Sequence, residues 1–201
     1  MKSSFNTESS FCEPAQELSP SESEASAKAF SAACRRLSSR MRSEGEIRAY
    51  LRKLGFEQAV IEKVIRELTE YGYIDDYRYC CEYFRYAKRK GKADGRIIRE
   101  LAEKGISRDQ SRAALLSLRE SSELQEYEML IPDDGELAYE IANRLFERQL
   151  GEGKAADEKL YARIGRRLAS LGYNSATIFA ILERLRQDER NREADTDTYE
   201  L

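Results

Sequence analysis

Asp75 and Asp76 are adjacent carboxylates, and a pair of carboxylates is the smallest kit for acid–base work. Their setting argues for another job. They open an apolar-periodic stretch, where an aspartate side chain accepts hydrogen bonds from the first exposed amides of a helix. Capping therefore accounts for both without catalysis. The four cysteines, Cys12, Cys34, Cys80 and Cys81, form no CxxC pair. They read as reduced, mostly buried thiols of a cytosolic protein. Histidine is absent from the chain. That removes Ser-His and Cys-His nucleophiles and the commonest metal ligand. Gly91-Lys92-Ala93-Asp94-Gly95 lacks the Gly-Lys-Ser/Thr ending of a phosphate loop and follows a helical segment, not a strand. No catalytic residues, metal site or cofactor are expected.

What remains is charge on helical faces. A helix from Asp76 to Lys90 gathers Tyr79, Cys80, Tyr83, Phe84 and Ala87 on one side. Arg78, Arg85 and Arg89 fall in a narrow stripe opposite. The apolar set reads as core, with base stacking on Tyr79 and Tyr83 as the lesser alternative. The arginines are candidates for partner binding, although Glu82 is placed to pair with Arg78 or Arg85. Lys92, Arg96 and Arg99 form a second basic edge on the following helix.

These helices belong to a repeat. With Gly55, Gly105 and Gly172 superposed, Ile47, Ile97 and Ile164 coincide, as do Leu51, Leu101 and Leu168. Phe56, Ile106 and Tyr173 follow the glycine. Val64, Ala114 and Ile181 then align, followed by Leu68, Leu118 and Leu185. An amphipathic helix precedes each glycine and another follows it, with the glycine at the left-handed position that ends a helix. A third helix precedes each pair: about Ala25–Leu37, Asp76–Lys90 and Glu136–Leu150. Pro14, Pro20 and Pro132 all fall outside the periodic segments. The expected fold is all-α, with three tandem three-helix repeats in an elongated, curved array. The expected divisions are an acidic disordered tail over 1–24, repeats over 25–71, 72–119 and 135–187, an acidic linker over 120–134 and a polar tail over 188–201.

Net charge is −3 and the sequence pI about 5.4, which argues against DNA binding as the whole function. The distribution is uneven. From Tyr77 to Lys104 there are nine basic residues against four acids, whereas Arg119–Glu140 holds eight acids and one base. Such patches speak to partners. No run approaches the ~20 apolar residues of a membrane span, and the acidic N-terminal stretch fits neither a secretory signal nor a transit peptide. A cytoplasmic protein is expected.

The middle repeat runs Gly72-Tyr73-Ile74-Asp75-Asp76, Tyr79-Cys80, Tyr83-Phe84-Arg85, Lys88, Gly91, Gly95, Arg96-Ile97, Glu100-Leu101 and Lys104-Gly105-Ile106. This resembles the RecX family, and Arg42-Ser43-Glu44 with Leu54-Gly55-Phe56 resembles that family's opening repeat. The basic turn departs from the usual pattern, in which a bulky residue or proline often precedes the Arg-Ile pair. The resemblance covers about Ala25 to Arg186 and is weakest in the third repeat. It implies a non-enzymatic modulator, expected to act as a monomer, that binds the RecA–DNA filament and restrains its ATPase, strand-exchange and coprotease activities. Arg78, Arg85, Arg89, Lys92, Arg96 and Arg99 are then candidate contacts to RecA or DNA. The competing readings are a non-specific nucleic-acid-binding module acting without RecA, and a purely structural scaffold. Weak, non-specific DNA contact would be compatible with the first reading as a supplement.

Overall fold

In the computed structural model, residues 20–124, 132–153 and 155–199 are described. Among them are nine helices and no strand. The first repeat comprises α1 (Pro20–Leu37), α2 (Glu44–Lys53) and α3 (Gln58–Glu70). The second comprises α4 (Asp76–Arg89), α5 (Asp94–Glu103) and α6 (Arg108–Leu124), and the third α7 (Asp134–Gly151), α8 (Glu158–Leu171) and α9 (Ser175–Tyr199).

Each repeat closes its own apolar core. Ile47, Leu51, Val64 and Leu68 are buried against Ala29 and Ala33 in the first. Ile97, Leu101, Ala114 and Leu118 pack on Phe84 and Ala87 in the second. Ile164, Leu168, Ile181 and Leu185 pack on Ala142 and Phe146 in the third. The aligned glycines have positive φ, +85° at Gly55, +86° at Gly105 and +95° at Gly172, a conformation that costs an L-residue about 1–2 kcal/mol. The helix ends they terminate set the spacing of the aligned core positions.

Both ends of the array are more helical than the sequence led us to expect. α1 begins at Pro20, not Ala25, because a proline at the first helical position has its φ already set and needs no amide partner. α9 continues through the segment assigned to a polar tail. Polar contacts hold it to its neighbours: Tyr139 Oη donates to Asp188 at 2.7 Å, Tyr161 Oη donates to Glu189 at 2.7 Å, and Arg192 pairs with Glu147. The expected disorder of residues 1–19 lies outside the described residues, as does 125–131 of the acidic linker. Residues 120–124 of that linker are helical, at the end of α6.

The junctions between repeats share one device. Asp75 caps its own helix, accepting from Arg78 N at 2.9 Å, while Asp76 Oδ1 accepts from Glu44 N at 2.8 Å, at the start of α2. The next junction repeats the arrangement. Asp133 accepts from Gly135 N and Glu136 N, whereas Asp134 accepts from Asp94 N at 3.0 and 3.2 Å. The N-cap of α5 is Ala93, which has no side chain able to cap, so the following repeat supplies the acceptor. In return, Ser43 Oγ donates to Lys104 O at 2.6 Å and Ala93 N donates to Leu171 O at 3.1 Å. Each second helix thus meets the next repeat's second helix start to end. A Cβ on Gly105 would stand 2.7 Å from Gly45 Cα, and one on Gly172 would stand 2.5 Å from Arg96 Cβ.

Candidate interaction surface

The six basic residues expected to bind a partner divide into two groups. Arg78 and Arg89 are exposed on α4 and Arg99 is exposed on α5. Among the described residues none of these three side chains has a hydrogen-bonding or ion-pair partner. Such unpaired guanidiniums are available to carboxylates or phosphates, which they can hold through two parallel N–H bonds. Arg85 is half-buried and pairs with Glu82 at 3.1 Å, one of the two pairings the helix spacing allowed.

Lys92 and Arg96 are committed inside the fold. Lys92 Nζ lies 2.7 Å and Arg96 Nε 3.0 Å from the Glu100 carboxylate, which also accepts from Tyr83 Oη at 2.8 Å. Burial pushes the Glu100 carboxyl up, but the hydrogen bonds from Lys92, Tyr83 and Arg96 outweigh it and hold the group at about 2. The same burial, with Glu100 alongside, raises the Tyr83 phenol. Arg96 reaches further and donates to Ser170 O in the third repeat. Arg96 thus ties the second repeat to the third, while Lys92 stays within the second.

The structure also gathers charges that periodicity did not single out. Lys88, on α4, is buried, with its Nζ 2.6 Å from Asp134 Oδ1. Asp94 Oδ1 is 2.8 Å from the same nitrogen but out of line for a hydrogen bond, so that contact is Coulombic. Arg119 closes the cluster on Asp94 Oδ2 at 2.7 Å. Two cations and two carboxylates are balanced where the second repeat meets the third. The available signal was the recurrence of the Asp-Asp pair, at 75–76 and again at 133–134.

Little here supports covalent chemistry. Asp76 is held above the usual carboxylate range by burial, despite the Glu44 amide, with Glu44, Asp75 and Glu46 adding repulsion. The amide it caps accounts for it. Burial pushes the Cys80 thiol up to about 11 and raises Cys81 as well, which leaves both poorly nucleophilic at neutral pH. Cys34 and these two are free thiols, and Cys12 lies outside the described residues. Tyr79 is buried and stacks on Tyr83 with ring centroids 6.1 Å apart, so Tyr79 is core and offers no base-stacking platform. Among the described residues no helix is long and apolar enough to cross a membrane. Nor does any group of three or more Cys, Asp and Glu among them suit a metal ion.

Comparison with known proteins follows the repeat boundaries. Residues 29–68 match the RecX first three-helix domain and residues 75–115 the RecX second three-helix domain. The chain is 30% identical over 154 residues to Regulatory protein RecX of Halalkalibacterium halodurans, covering 75% of this chain and 52% of that protein. It is 30% identical over 178 residues to Regulatory protein RecX of Lactobacillus delbrueckii subsp. bulgaricus, covering 85% of this chain and 60% of that one. It therefore spans only about half to three-fifths of the length of these relatives. The crystal structure of RecX from Lactobacillus salivarius superposes with a TM-score of 0.63 at 22% identity, covering 82% of this chain and 99% of that one, which is a likeness of fold. With two RecX three-helix domains matched in order and the third repeat continuing the same helical array, the chain belongs to the RecX family.

Proposed function

We propose that this chain is a cytoplasmic regulatory protein that binds the RecA recombinase filament and restrains its ATPase, strand-exchange and coprotease activities, acting in DNA repair, recombination and the SOS response. It works by binding, as a monomer, without catalysis or a cofactor. The observation that carries this reading is the match of two successive RecX domains. Arg78, Arg89 and Arg99, left unpaired on the second of those domains, support a contact with an acidic face of the filament or its DNA phosphates. Arg96 supports it indirectly, by tying the second repeat to the third.

The test is the rate of single-strand-DNA-dependent ATP hydrolysis by the cognate RecA with this protein added below one copy per RecA. A marked slowing is expected. An unchanged rate, or slowing that merely follows capture of the DNA by this protein alone, would count against the reading. Direct DNA binding is expected to be weak and to fall with salt, by about 0.7 in log affinity per log salt for each phosphate neutralised on a single strand.

A further inference from the structure

An open groove of about 710 Å³ runs between the end of α4 and the helices α7 and α8. Its floor is aliphatic. Leu137, Ile141 and Leu145 stand four residues apart on α7, and Leu171 ends α8. Leu137 and Leu171 are buried, but Ile141 and Leu145 are only partly covered, so apolar surface faces the opening. The volume lies within the ~300–1,000 Å³ of sites that enclose a small ligand, enough for a few side chains of a docked segment.

The rim is basic. Of its cations, Lys88 is neutralised by Asp94 and Asp134, Arg85 pairs with Glu82, and Arg144 pairs with Glu140. Arg89, Lys90 and Arg167 have no carboxylate partner among the described residues, and Lys90 rests over the Tyr86 ring. Wall and floor are fixed together. Gly91 has φ +76°, a Cβ there would meet Ile141 Cδ1 at 2.7 Å, and Tyr173 Oη donates to Gly91 O at 3.1 Å. The groove is therefore formed before anything binds, which lowers the ordering cost of docking.

We propose that this groove docks an acidic amphipathic helix of a partner protein, its aliphatic side chains on the α7 stripe and its carboxylates on Arg89, Lys90 and Arg167. Three uncompensated cations select an anionic ligand. The aliphatic floor selects its chemistry: single-stranded nucleic acid gains most from aromatic platforms, and none of the floor residues is aromatic. Side chains spaced three and four apart on a helix match a stripe spaced by four. The groove stands on its own geometry, whichever protein supplies the helix.

The test uses the full chain without RecA, so its failure leaves the regulatory reading standing. A fluorescein-labelled helical peptide with leucines four apart and glutamates elsewhere is titrated by anisotropy. A second peptide has serine in place of leucine, and an oligothymidylate of equal charge serves as the third probe. The leucine peptide is expected to bind at least about tenfold more tightly than either other probe. Arg89→Glu/Arg167→Glu is expected to abolish most of that binding, with its melting curve unchanged. Ile141→Ser should weaken the leucine peptide and leave the serine peptide alone. Equal binding of the two peptides, a preference for the oligothymidylate, binding that survives the charge reversal, or self-association of the chain through this groove would overturn the proposal.

Discussion

Replacing Asp134 with alanine is expected to destabilise the protein several times more than replacing its neighbour Asp133. The two side chains begin the same helix, and a purely local view makes them equivalent caps. Asp133 is an exposed N-cap, and losing such a cap costs about 1 kcal/mol. Asp134 instead serves the preceding repeat. Its loss leaves the Asp94 amide without an acceptor and removes the carboxylate 2.6 Å from Lys88, whose side chain is only 3% exposed. Breaking a buried pair costs about 3–5 kcal/mol when the remaining charge is stranded. Here Asp94 still stands 2.8 Å from the ammonium, so the lower end, about 3 kcal/mol, is expected. In a chain of this size 1 kcal/mol moves Tm by about 2–4 °C. Thermal melts followed by far-UV circular dichroism should therefore drop by about 6–12 °C for Asp134→Ala and about 2–4 °C for Asp133→Ala. Lys88→Met should cost less in the Asp134→Ala background than alone, because the two residues are coupled. Equal losses for the two aspartates, or strict additivity with Lys88→Met, would refute the assignment of Asp134 to the junction.

Gly172→Ala and Gly55→Ala both force alanine to positive φ, but only at Gly172 does the new Cβ meet a neighbour, Arg96 Cβ at 2.5 Å. Denaturant titration should show a loss of about 1 kcal/mol at Gly55 and about 2–4 kcal/mol at Gly172, where overpacking adds to backbone strain. The Glu100 carboxyl is held at about 2, below its ordinary 4.5. Its contribution is present above the unfolded value and is lost as pH falls from about 4.5 through about 2. Glu100→Gln should flatten that part of the stability–pH curve, and an unchanged acid limb would show that Lys92, Tyr83 and Arg96 do not act through this carboxylate.

The helices and the repeat were legible because apolar period and helix-ending glycines are local signals. Ile97, Leu101, Ala114 and Leu118 are buried where their alignment with Ile47, Leu51, Val64 and Leu68 put them. Charge was less legible. A helical projection shows which face a cation occupies but not what the next repeat brings against it. Arg96 looked like Arg99 in sequence, yet Ser170 and Gly172, more than seventy residues on, convert it into a junction residue. Lys88 was not singled out in the sequence for the same reason, since Asp134 arrives from across the 125–131 segment. The acid-rich end of α9 read as a tail because its partners Tyr139, Tyr161 and Glu147 lie on other helices.

The central claim is that the arginines left unpaired on the second repeat carry the partner contact. The direct test is the RecA ATPase assay with Arg78, Arg89 and Arg99 all changed to Glu. All three are exposed and away from the core, so each change should shift stability by no more than about 0.5 kcal/mol. The account predicts a variant with the parent's helical signal and melting curve that has lost most of its inhibition of RecA. A variant that folds normally and still inhibits as well as the parent at physiological salt would contradict it.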